Sequence, residues 1–255
     1  MRVIKINRKI LILYTLVVVF SLLIVCNQEK VISAVTQSLK PIYSVKTDKP
    51  QIAITFDISW GEQNVRPILE ILKAENVKAT FFLSSPWAEK KPELVQAIVE
   101  DGHEIGSHGK RHVDLNTLSE HDLIQELDSS KEVLEKLSGQ EITLLRPPNG
   151  AYNNKVISVA KARGYHVIQW SVDSLDWKRP GKDAIIDYVL NGRSKNKGAS
   201  PGDIILFHAS DSAPDTPLAL PTIIRALKEK NYELVPVGVL LKNAQESWPP
   251  GSSLQ

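Results

Sequence analysis

The sequence predicts an α/β protein, a distorted and incomplete (β/α)7 barrel with mostly parallel strands. Between Gln51 and Leu241, short apolar segments rich in β-branched residues alternate with amphipathic segments of helical period. That alternation is typical of a mostly parallel sheet covered by helices. Seven strands suit an incomplete barrel or an open doubly wound sheet. The barrel is favoured because no phosphate-binding glycine fingerprint follows the first strand, as a dinucleotide fold would normally show.

The seven predicted strands are short apolar runs that lie between turn residues. Gln51–Phe56 is apolar and β-branched, and Lys78–Leu83 is rich in threonine and phenylalanine, both of which favour strands. The others, in chain order, are His103–Ser107, Ile142–Leu145, His166–Ser171, Asp203–Phe207 and Tyr232–Val235.

Helices are predicted between the strands, and capping residues mark several of their ends. Pro92 begins one helix and Gly102 follows its end, which is the expected asymmetry of helix termini. Ser119 and Asp122 fit a capping arrangement at the start of the longest helix, and Gly139 stops it. The helices are Val65–Glu75, Pro92–Asp101, Ser119–Ser138, Asn153–Arg163, Asp183–Asn191 and Pro217–Lys230.

Residues 1–26 are predicted to be an N-terminal membrane anchor or signal segment. Ile10–Cys26 is the longest apolar run, and it follows four cationic residues with no acid among them. A helix of that length reaches about 25 Å, near the lower limit for crossing a bilayer. The cationic flank should stay in the cytoplasm and leave the following residues outside. An uncleaved, single-pass anchor is favoured, and cleavage to a secreted protein is the alternative.

The remaining chain is predicted to comprise a linker over 27–50, one domain over 51–241 and a flexible tail over 242–255. The formal net charge is +2, and the first nine residues carry four positive charges, so residues 10–255 are mildly acidic. That balance argues against nucleic acid as the main partner. Cys26 is the only cysteine, which excludes an intramolecular disulfide.

Ionisable side chains follow five of the predicted strands at the point where each strand ends. They are Asp57, the pair His108 and His112, Arg146, the pair Asp173 and Asp176, and His208. In a parallel barrel these strand ends open on one face, so the groups should meet in one pocket. Each residue alone has an ordinary structural role available, such as a turn cap for Asp57. Their joint position favours a functional site.

His108 and His112 are the candidate metal ligands. Four positions apart, two imidazoles can lie on one face of a single helical turn and point at one metal ion. The alternative is two exposed loop histidines beside Lys110 and Arg111. The pair alone favours a metal site only slightly, and the other ionisable residues at the strand ends strengthen that interpretation.

Five segments occur in a fixed order along the chain: Thr55-Phe56-Asp57, Ser107-His108-x-x-x-His112, Arg146-Pro147-Pro148-Asn149-Gly150, Asp173-Ser174-Leu175-Asp176-Trp177 and Leu206-Phe207-His208. This ordered set resembles the motifs of the polysaccharide deacetylases, carbohydrate esterase family four, also called the NodB-homology family. The match spans about Gln51 to Leu241. The N-terminal segment and Asp57-Ile58-Ser59-Trp60-Gly61 resemble the membrane-anchored sporulation-type branch of that family.

The resemblance implies metal-dependent hydrolysis of N-acetyl groups from amino sugars. A divalent ion, usually zinc in the family, would be bound by His108 and His112, where it would polarise the carbonyl and acidify a bound water. The implied catalytic set is Asp57 as general base, Arg146 as its counterion, His208 as general acid and Asp176 as the residue that keeps His208 charged. The backbone N–H of Asn149, in the loop stiffened by Pro148, would face the oxyanion. Trp177 and Leu206 would form apolar walls for the acetyl group and the sugar, although Trp177 fits ordinary core packing equally well.

One residue departs from the family pattern where the metal should bind. The family usually has a second aspartate directly after the base, and here that residue is Ile58, which cannot ligate a metal. Three outcomes are open: Asp57 ligates directly, Asp114 supplies a ligand, or two neutral imidazoles bind the ion weakly. The family's tyrosine after the two prolines is replaced by Asn149, a milder change because only the backbone contact is needed there.

The leading expectation is a deacetylase of an acetylated cell-wall glycan, peptidoglycan by resemblance to the sporulation-type branch, that acts outside the membrane. A catalytically weakened glycan-binding or scaffolding protein of the same fold is the alternative that Ile58 favours. An amidase or esterase acting on a non-sugar substrate is a third possibility, since the catalytic set does not encode the acyl carrier.

Overall fold

Eight strands form a single sheet in the part of the chain that the computed structural model describes, residues 39–193 and 197–246. The sheet order is β5-β4-β3-β2-β1-β7-β6, and β8 pairs with β1 beside this path. Every strand pairing recorded in those residues is parallel. The strands are β1 (Gln51–Ile58), β2 (Thr80–Leu83), β3 (Glu104–Ser107), β4 (Leu144–Leu145), β5 (His166–Val167), β6 (Val172–Asp173), β7 (Ile204–His208) and β8 (Glu233–Val235).

Helices connect successive strands and cover the sheet. Three short 3₁₀ turns, Leu115–Thr117, Pro148–Gly150 and Asp176–Lys178, lie in loops that follow strand ends. The α-helices of the described residues are α1 (Val65–Ala74), α2 (Ser85–Lys90), α3 (Pro92–Glu100), α4 (Glu120–Ser138), α5 (Asn154–Ala162), α6 (Lys182–Leu190), α7 (Thr216–Glu229) and α8 (Val237–Glu246). The predicted distorted, incomplete barrel of mostly parallel strands is therefore confirmed.

β1 is the central strand, and all eight of its residues are buried. Ile52, Ile54, Phe56 and Ile58 pack into one apolar cluster with residues of the covering helices. Because side chains alternate across a strand, Thr55 and Asp57 point to the opposite face, toward the barrel interior. β1 is thus apolar toward the helices and carries its polar groups inside, near its carboxyl end.

Capping explains the boundaries of the longest helix. The Ser119 side chain accepts a hydrogen bond from the backbone N–H of Asp122, and Gly139 takes the left-handed conformation at φ 67° after the last turn of α4. Both ends therefore lie where the sequence places them.

The structure differs from the predicted elements in three places. Of the predicted fifth strand, His166–Ser171, only β5 (His166–Val167) is formed, the backbone around Trp170 is irregular, and the unpredicted β6 follows at Val172–Asp173 and pairs with β7. Helix α2 was not predicted. The predicted flexible tail begins inside α8, which continues to Glu246 because Val237, Leu240, Leu241 and Ala244 form a buried stripe at helical spacing.

The last part of the predicted linker packs on the sheet. Ile42 forms a bridge with Ile168, Ser44 forms one with Asp203, and Val45 is buried. The packed domain therefore begins before Gln51. The predicted anchor over 1–26 lies outside the described residues, as do the first part of the linker and the tail beyond residue 246. Within the described ranges, none of the helices has the length and hydropathy needed to cross a bilayer.

Candidate active site

A cavity of about 400 Å³ opens at the carboxyl ends of the central strands. Its volume lies in the range of small-molecule sites, roughly 300–1,000 Å³. Eight of the residues predicted from the sequence line it: Asp57, His108, His112, Asn149, Asp173, Trp177, Leu206 and His208. Arg146 and Asp176 lie directly behind this lining, where each contacts one of the eight. The structure therefore brings the predicted polar groups together at one mouth of the barrel.

Asp57 and Arg146 form a buried ion pair at the end of β1. Arg146 Nη1 donates to Asp57 Oδ1 at 2.8 Å and to Thr55 Oγ1 at 2.7 Å, and Nη2 donates to the carbonyl of Gln169 at 3.1 Å. Its guanidinium lies 4.1 Å from the centre of the Phe82 ring, and no part of the side chain is exposed. The cation is thus fixed on four sides and aimed at one carboxylate oxygen.

The ion pair sets the charge state of Asp57. Burial by itself raises the pKa of a carboxyl group, but the charge and hydrogen bond of Arg146 outweigh burial and hold the pKa of Asp57 below its usual value. Asp57 is consequently ionised at neutral pH, as a general base must be.

His108 follows β3 and is oriented by the backbone of the next motif. Its Nδ1 lies 2.8 Å from the carbonyl oxygen of Arg146, which can only accept, so Nδ1 carries the proton. Nε2 is left with its lone pair and lies 3.7 Å from Asp57 Oδ2. Burial lowers the pKa of His108 to about 4, so its imidazole is neutral at pH 7. A neutral ring held through its other nitrogen is the arrangement found in metal-ligating histidines.

His112 does not share a helical turn with His108, so that sequence prediction is wrong. The segment after β3 is an irregular loop, and His112 lies in the left-handed region at φ 49°. The loop nevertheless turns the two imidazoles toward each other, with ring centres 5.2 Å apart at 72°. The two histidines therefore face one space by loop geometry instead of helical spacing.

Helix α4 holds this loop in place. Buried Glu126 accepts hydrogen bonds at Oε1 from the backbone N–H groups of Lys110 and Arg111, at 2.7 and 2.6 Å. Its Oε2 accepts from Arg111 Nε at 2.7 Å. One turn further along α4, Ser130 Oγ donates to the carbonyl of Gly109. The two residues of α4, four positions apart on one face, fix the backbone between the two histidines.

His208 and Asp176 form the second polar pair of the site. Asp176 Oδ1 lies 2.8 Å from His208 Nδ1, and Oδ2 accepts from the backbone N–H of His208 at 2.7 Å and from Thr216 Oγ1 at 2.6 Å. Burial lowers the pKa of an imidazole, but Asp176 outweighs it and raises the pKa of His208. The pairing of β1 with β7 places His208 directly opposite Asp57. A carboxylate and an imidazole that favours its charged form are thus neighbours across one strand pair.

The remaining predicted residues form the rim of the cavity. Trp177 is 48% exposed, so it is a wall of the cavity and not core filling. Asn149 has φ 57°, and its side-chain amide donates to Asp114 Oδ1 at 2.8 Å. Pro148 is buried behind the lining, where its ring packs near Gly109, and Pro147 lines the cavity in its place.

In the part of the chain that the structure describes, His108 and His112 are available to a metal ion and no third protein ligand completes the group. Ile58 is fully buried in the apolar layer between sheet and helices, on the face of β1 opposite Asp57. The carboxylate of Asp114 is bonded to Asn149. Across the described residues no group of three His, Cys, Asp or Glu side chains could hold an ion. The donor set suits a divalent ion held loosely by two imidazoles, and it falls short of the three protein ligands typical of catalytic zinc.

Sequence reasoning missed several residues of the cavity lining. Ser59 and Trp60 directly follow β1, Trp170 lies in the irregular stretch between β5 and β6, and Ser210 follows β7. The signal that could have found Trp60 is a large aromatic residue just beyond the end of a fully buried strand, and Trp60 is 51% exposed.

Comparison with known proteins agrees with the ordered motifs. The family model described as polysaccharide deacetylase matches residues 44–168. A peptidoglycan-N-acetylglucosamine deacetylase of Bacillus cereus is 33% identical over 203 residues, which cover 78% of this chain and 92% of that protein. The chain belongs to the polysaccharide deacetylase family. The uncharacterized protein YlxY of Bacillus subtilis is 32% identical over 79% of this chain, and the match spans 60% of YlxY.

The proteins of known structure that are similar to this chain include an inactive member of the polysaccharide deacetylase family. A pseudoenzyme of carbohydrate esterase family 4 from Bacillus anthracis has a TM-score of 0.73 and 33% identity, over 80% of this chain and 69% of that one. A mutant of the same protein with restored enzymatic activity gives the same TM-score at 34% identity. Similarity within the family therefore extends to active and inactive members.

Proposed function

We propose that the protein hydrolyses N-acetyl groups from the amino sugars of a cell-wall glycan. The observation that supports this most directly is that two polar pairs meet at one cavity. Arg146 keeps Asp57 ionised, and Asp176 raises the pKa of His208. Asp57 and His208 are paired positions of β1 and β7. Amide hydrolysis needs one group that removes a proton from water and another that protonates the leaving amine. The Asp57–Arg146 pair supplies the deprotonated base, and the His208–Asp176 pair supplies the protonated acid.

In the proposed mechanism, Asp57 takes a proton from the attacking water while Arg146 holds its carboxylate in place. His208 donates a proton to the departing nitrogen, and Asp176 keeps its imidazole charged and oriented. The backbone N–H of Asn149 faces the oxyanion that develops on the acetyl carbonyl. A divalent ion bound at His108 and His112 would supply an electrophile for that carbonyl and lower the pKa of water. Trp177 and Leu206 contact the acetyl methyl and the sugar.

The finer assignments rest on the family resemblance. Peptidoglycan is the proposed glycan because several relatives carry peptidoglycan deacetylase names. A role in sporulation, zinc as the ion, and a membrane anchor that leaves the domain outside the membrane are part of the same proposal.

The test is acetate release by the full-length chain from acetylated peptidoglycan and from chitin oligomers. We expect release in the presence of added zinc and its loss with a chelator. The second candidate function is glycan binding without turnover, favoured by Ile58 and by the likeness to a pseudoenzyme. It predicts glycan binding with no acetate released at any zinc concentration, which would contradict the proposed hydrolase.

Substitution Ile58→Asp is expected to tighten zinc binding by about tenfold or more. Ile58 is the last residue of β1 and faces the apolar layer, so the new carboxylate has to turn toward His108 and His112, a rotation that also removes it from the interior. Mutation of a residue that only hydrogen-bonds to a metal ligand changes metal affinity by roughly 10–100-fold. A new anionic ligand in direct contact with the ion should change the affinity at least as much. Without zinc the same variant should be less stable than the wild type, because a carboxylate would enter the apolar layer where Ile58 is buried. Zinc titration by calorimetry, and thermal unfolding with and without zinc, measure the two effects. Ile58→Asn is the control of equal size, and equal zinc affinity in the two variants would contradict the prediction.

Substitution Asp176→Asn is expected to move the basic limb of the pH–rate profile downward. The raised pKa of His208 keeps its acid form present above the ordinary value of 6.5, and activity is lost as pH rises through that pKa. The stability that this ion pair contributes is likewise complete below about 6.5 and lost above the raised pKa. Thr216→Val removes one hydrogen bond to Asp176 and keeps its charge, so it should shift the limb less. An unchanged basic limb in Asp176→Asn would show that His208 is not the acid.

A further inference from the structure

A short segment before β1, residues 42–45, bridges the gap between the two ends of the sheet. In the described residues the strand path runs from β5 to β6, and these two end strands are not paired with each other. Ile42 forms a parallel bridge with Ile168, directly after β5, and Ser44 forms an antiparallel bridge with Asp203, directly before β7. This segment, which we call the strap, therefore contacts both sides of the gap and completes the barrel wall there.

Backbone hydrogen bonds fix the strap on both sides. The N–H of Ile42 donates to the carbonyl of Val167 at 2.8 Å, and its carbonyl accepts from the N–H of Gln169 at 2.8 Å. On the other side, the N–H of Val45 donates to the carbonyl of Gly202 at 2.9 Å. A Cβ at Gly202, where φ is 89°, would lie 2.0 Å from the Val45 carbonyl oxygen, so only glycine fits against the strap.

Gln169 links the strap to two parts of the candidate active site. Its carbonyl accepts from Arg146 Nη2 at 3.1 Å, and its side-chain Nε2 donates to the carbonyl of Gly150 at 3.2 Å. A Cβ at Gly150 would lie 3.3 Å from Gln169 Oε1, so the loop that carries Asn149 packs against this amide. The N–H, the carbonyl and the side-chain amide of Gln169 therefore bind the strap, Arg146 and the Asn149 loop, respectively.

A second contact joins the strap directly to the same loop. The Tyr43 hydroxyl lies 3.0 Å from the hydroxyl of Tyr152, two residues after Gly150. Gln169 is only 2% exposed, so removal of the strap would leave its N–H buried and without the partner it has now. Buried backbone groups nearly always have a partner. The backbone around Gln169 is therefore expected to shift when the strap is weakened.

We infer that the strap is a positioning element of the active site, and that Gln169 couples it to Arg146 and to the loop that carries Asn149. The catalytic part of this inference rests on the proposed function. A donor stabilises an oxyanion when it lies about 2.7–3.1 Å from that oxygen, and a misplacement of about 1 Å can cost about 100-fold in rate. The strap thus acts through the residues that it restrains and has no contact of its own with the reacting atoms.

The variant Gln169→Met tests the coupling to the loop. Methionine is similar in length and keeps the backbone bonds to Ile42 and Arg146, but it cannot donate to Gly150. We expect kcat for acetate release from chitin oligomers to fall by about tenfold or more, with KM within about twofold of the wild type. The reason is that an oxyanion contact is made in the transition state and not with the bound substrate.

Val237→Ala is the matched control for a loss of stability alone. Val237 is buried in α8, in the same interior cluster as Val45, and takes no part in the contacts of Gln169 described above. The variant should unfold at a lower temperature and keep the kcat of the wild type when both are assayed well below that temperature. A kcat in Gln169→Met that falls no further than in Val237→Ala would overturn the inference.

Hydrogen exchange in the full-length chain tests the strap without any measurement of activity. The N–H groups of Gly150 and Ala151 donate to the carbonyls of Pro147 and Pro148, so their exchange reports on the order of this loop. In Ile42→Pro, which lacks the N–H that donates to β5, we expect these two groups to exchange about three- to tenfold faster, the equivalent of one backbone hydrogen bond.

Ile42→Ala keeps the backbone donor and is the control for the lost side chain, so its exchange at Gly150 and Ala151 should stay close to that of the wild type. Unchanged exchange at these two groups in Ile42→Pro would overturn the inference while the proposed function stands. If the wild type releases no acetate, the proposed function fails, and the exchange rates alone decide whether the strap restrains the loop.

Discussion

Substitution Asp57→Asn is expected to reduce acetate release by about 100- to 10,000-fold, the usual contribution of a positioned general base. Asparagine keeps an oxygen that can accept from Arg146 Nη1, so the geometry of the pair is retained. What the variant loses is the negative charge that Arg146 stabilises and that removes the proton from water. Initial rates of acetate release from chitin oligomers at saturating zinc measure the effect.

The glycan affinity of Asp57→Asn should remain close to that of the wild type, because Asp57 acts on water and not on the sugar. Asp173→Asn is the matched control, a second carboxylate that lines the same cavity and accepts none of the Arg146 hydrogen bonds described above, and it should lower the rate far less. Acetate release at the wild-type rate in Asp57→Asn would remove Asp57 from the role of base.

Substitution Arg146→Met is expected to lower the free energy of unfolding by about 3–5 kcal/mol at pH 7, as does the loss of one partner from a buried ion pair. Arg146 is fully buried, and its removal leaves the Asp57 carboxylate in the interior without a counterion. The Thr55 hydroxyl and the Gln169 carbonyl also lose a donor. Urea unfolding followed by tryptophan fluorescence gives the free energy.

The double variant Asp57→Asn with Arg146→Met should be less destabilised than the sum of the two single variants, since it removes both charges. The contribution of Asp57 depends on pH because its pKa is lowered in the folded state. That contribution is present above the unfolded value of about 3.9 and is lost as pH falls through the lower folded value. A destabilisation below about 1 kcal/mol in Arg146→Met at pH 7 would show that the pair is not essential to the fold.

Most of the sheet could be predicted from the sequence because its determinants are local. The apolar runs of β1 and β2, and the serine and glycine caps of α4, act within a few residues, and the structure places them within two residues of the prediction. The helix after Pro236 was missed although its apolar stripe is present in the sequence. The position of β6, just beyond the predicted end of the fifth strand, follows from its pairing with β7, which is a long-range contact.

The composition of the site could be anticipated, but its geometry could not. Parallel strand ends meet at one edge, which is sufficient to bring Asp57 and His208 together. The tautomer of His108 depends on a carbonyl 38 residues away along the chain, and the orientation of His112 depends on a loop with a left-handed residue. The burial of Ile58 opposite Asp57 does follow from strand alternation and was available from the sequence.

Glu126 has a consequence for how this fold can change over evolutionary time. The arrangement of His108 and His112 is maintained by hydrogen bonds that the backbone of the loop between them donates to Glu126 of α4. A lineage can therefore exchange the residue at position 58 while the surrounding architecture persists. Recovery of a stronger ligand set then requires a new residue at position 58 and a turn of the end of β1, while the loop that carries the histidines stays as it is.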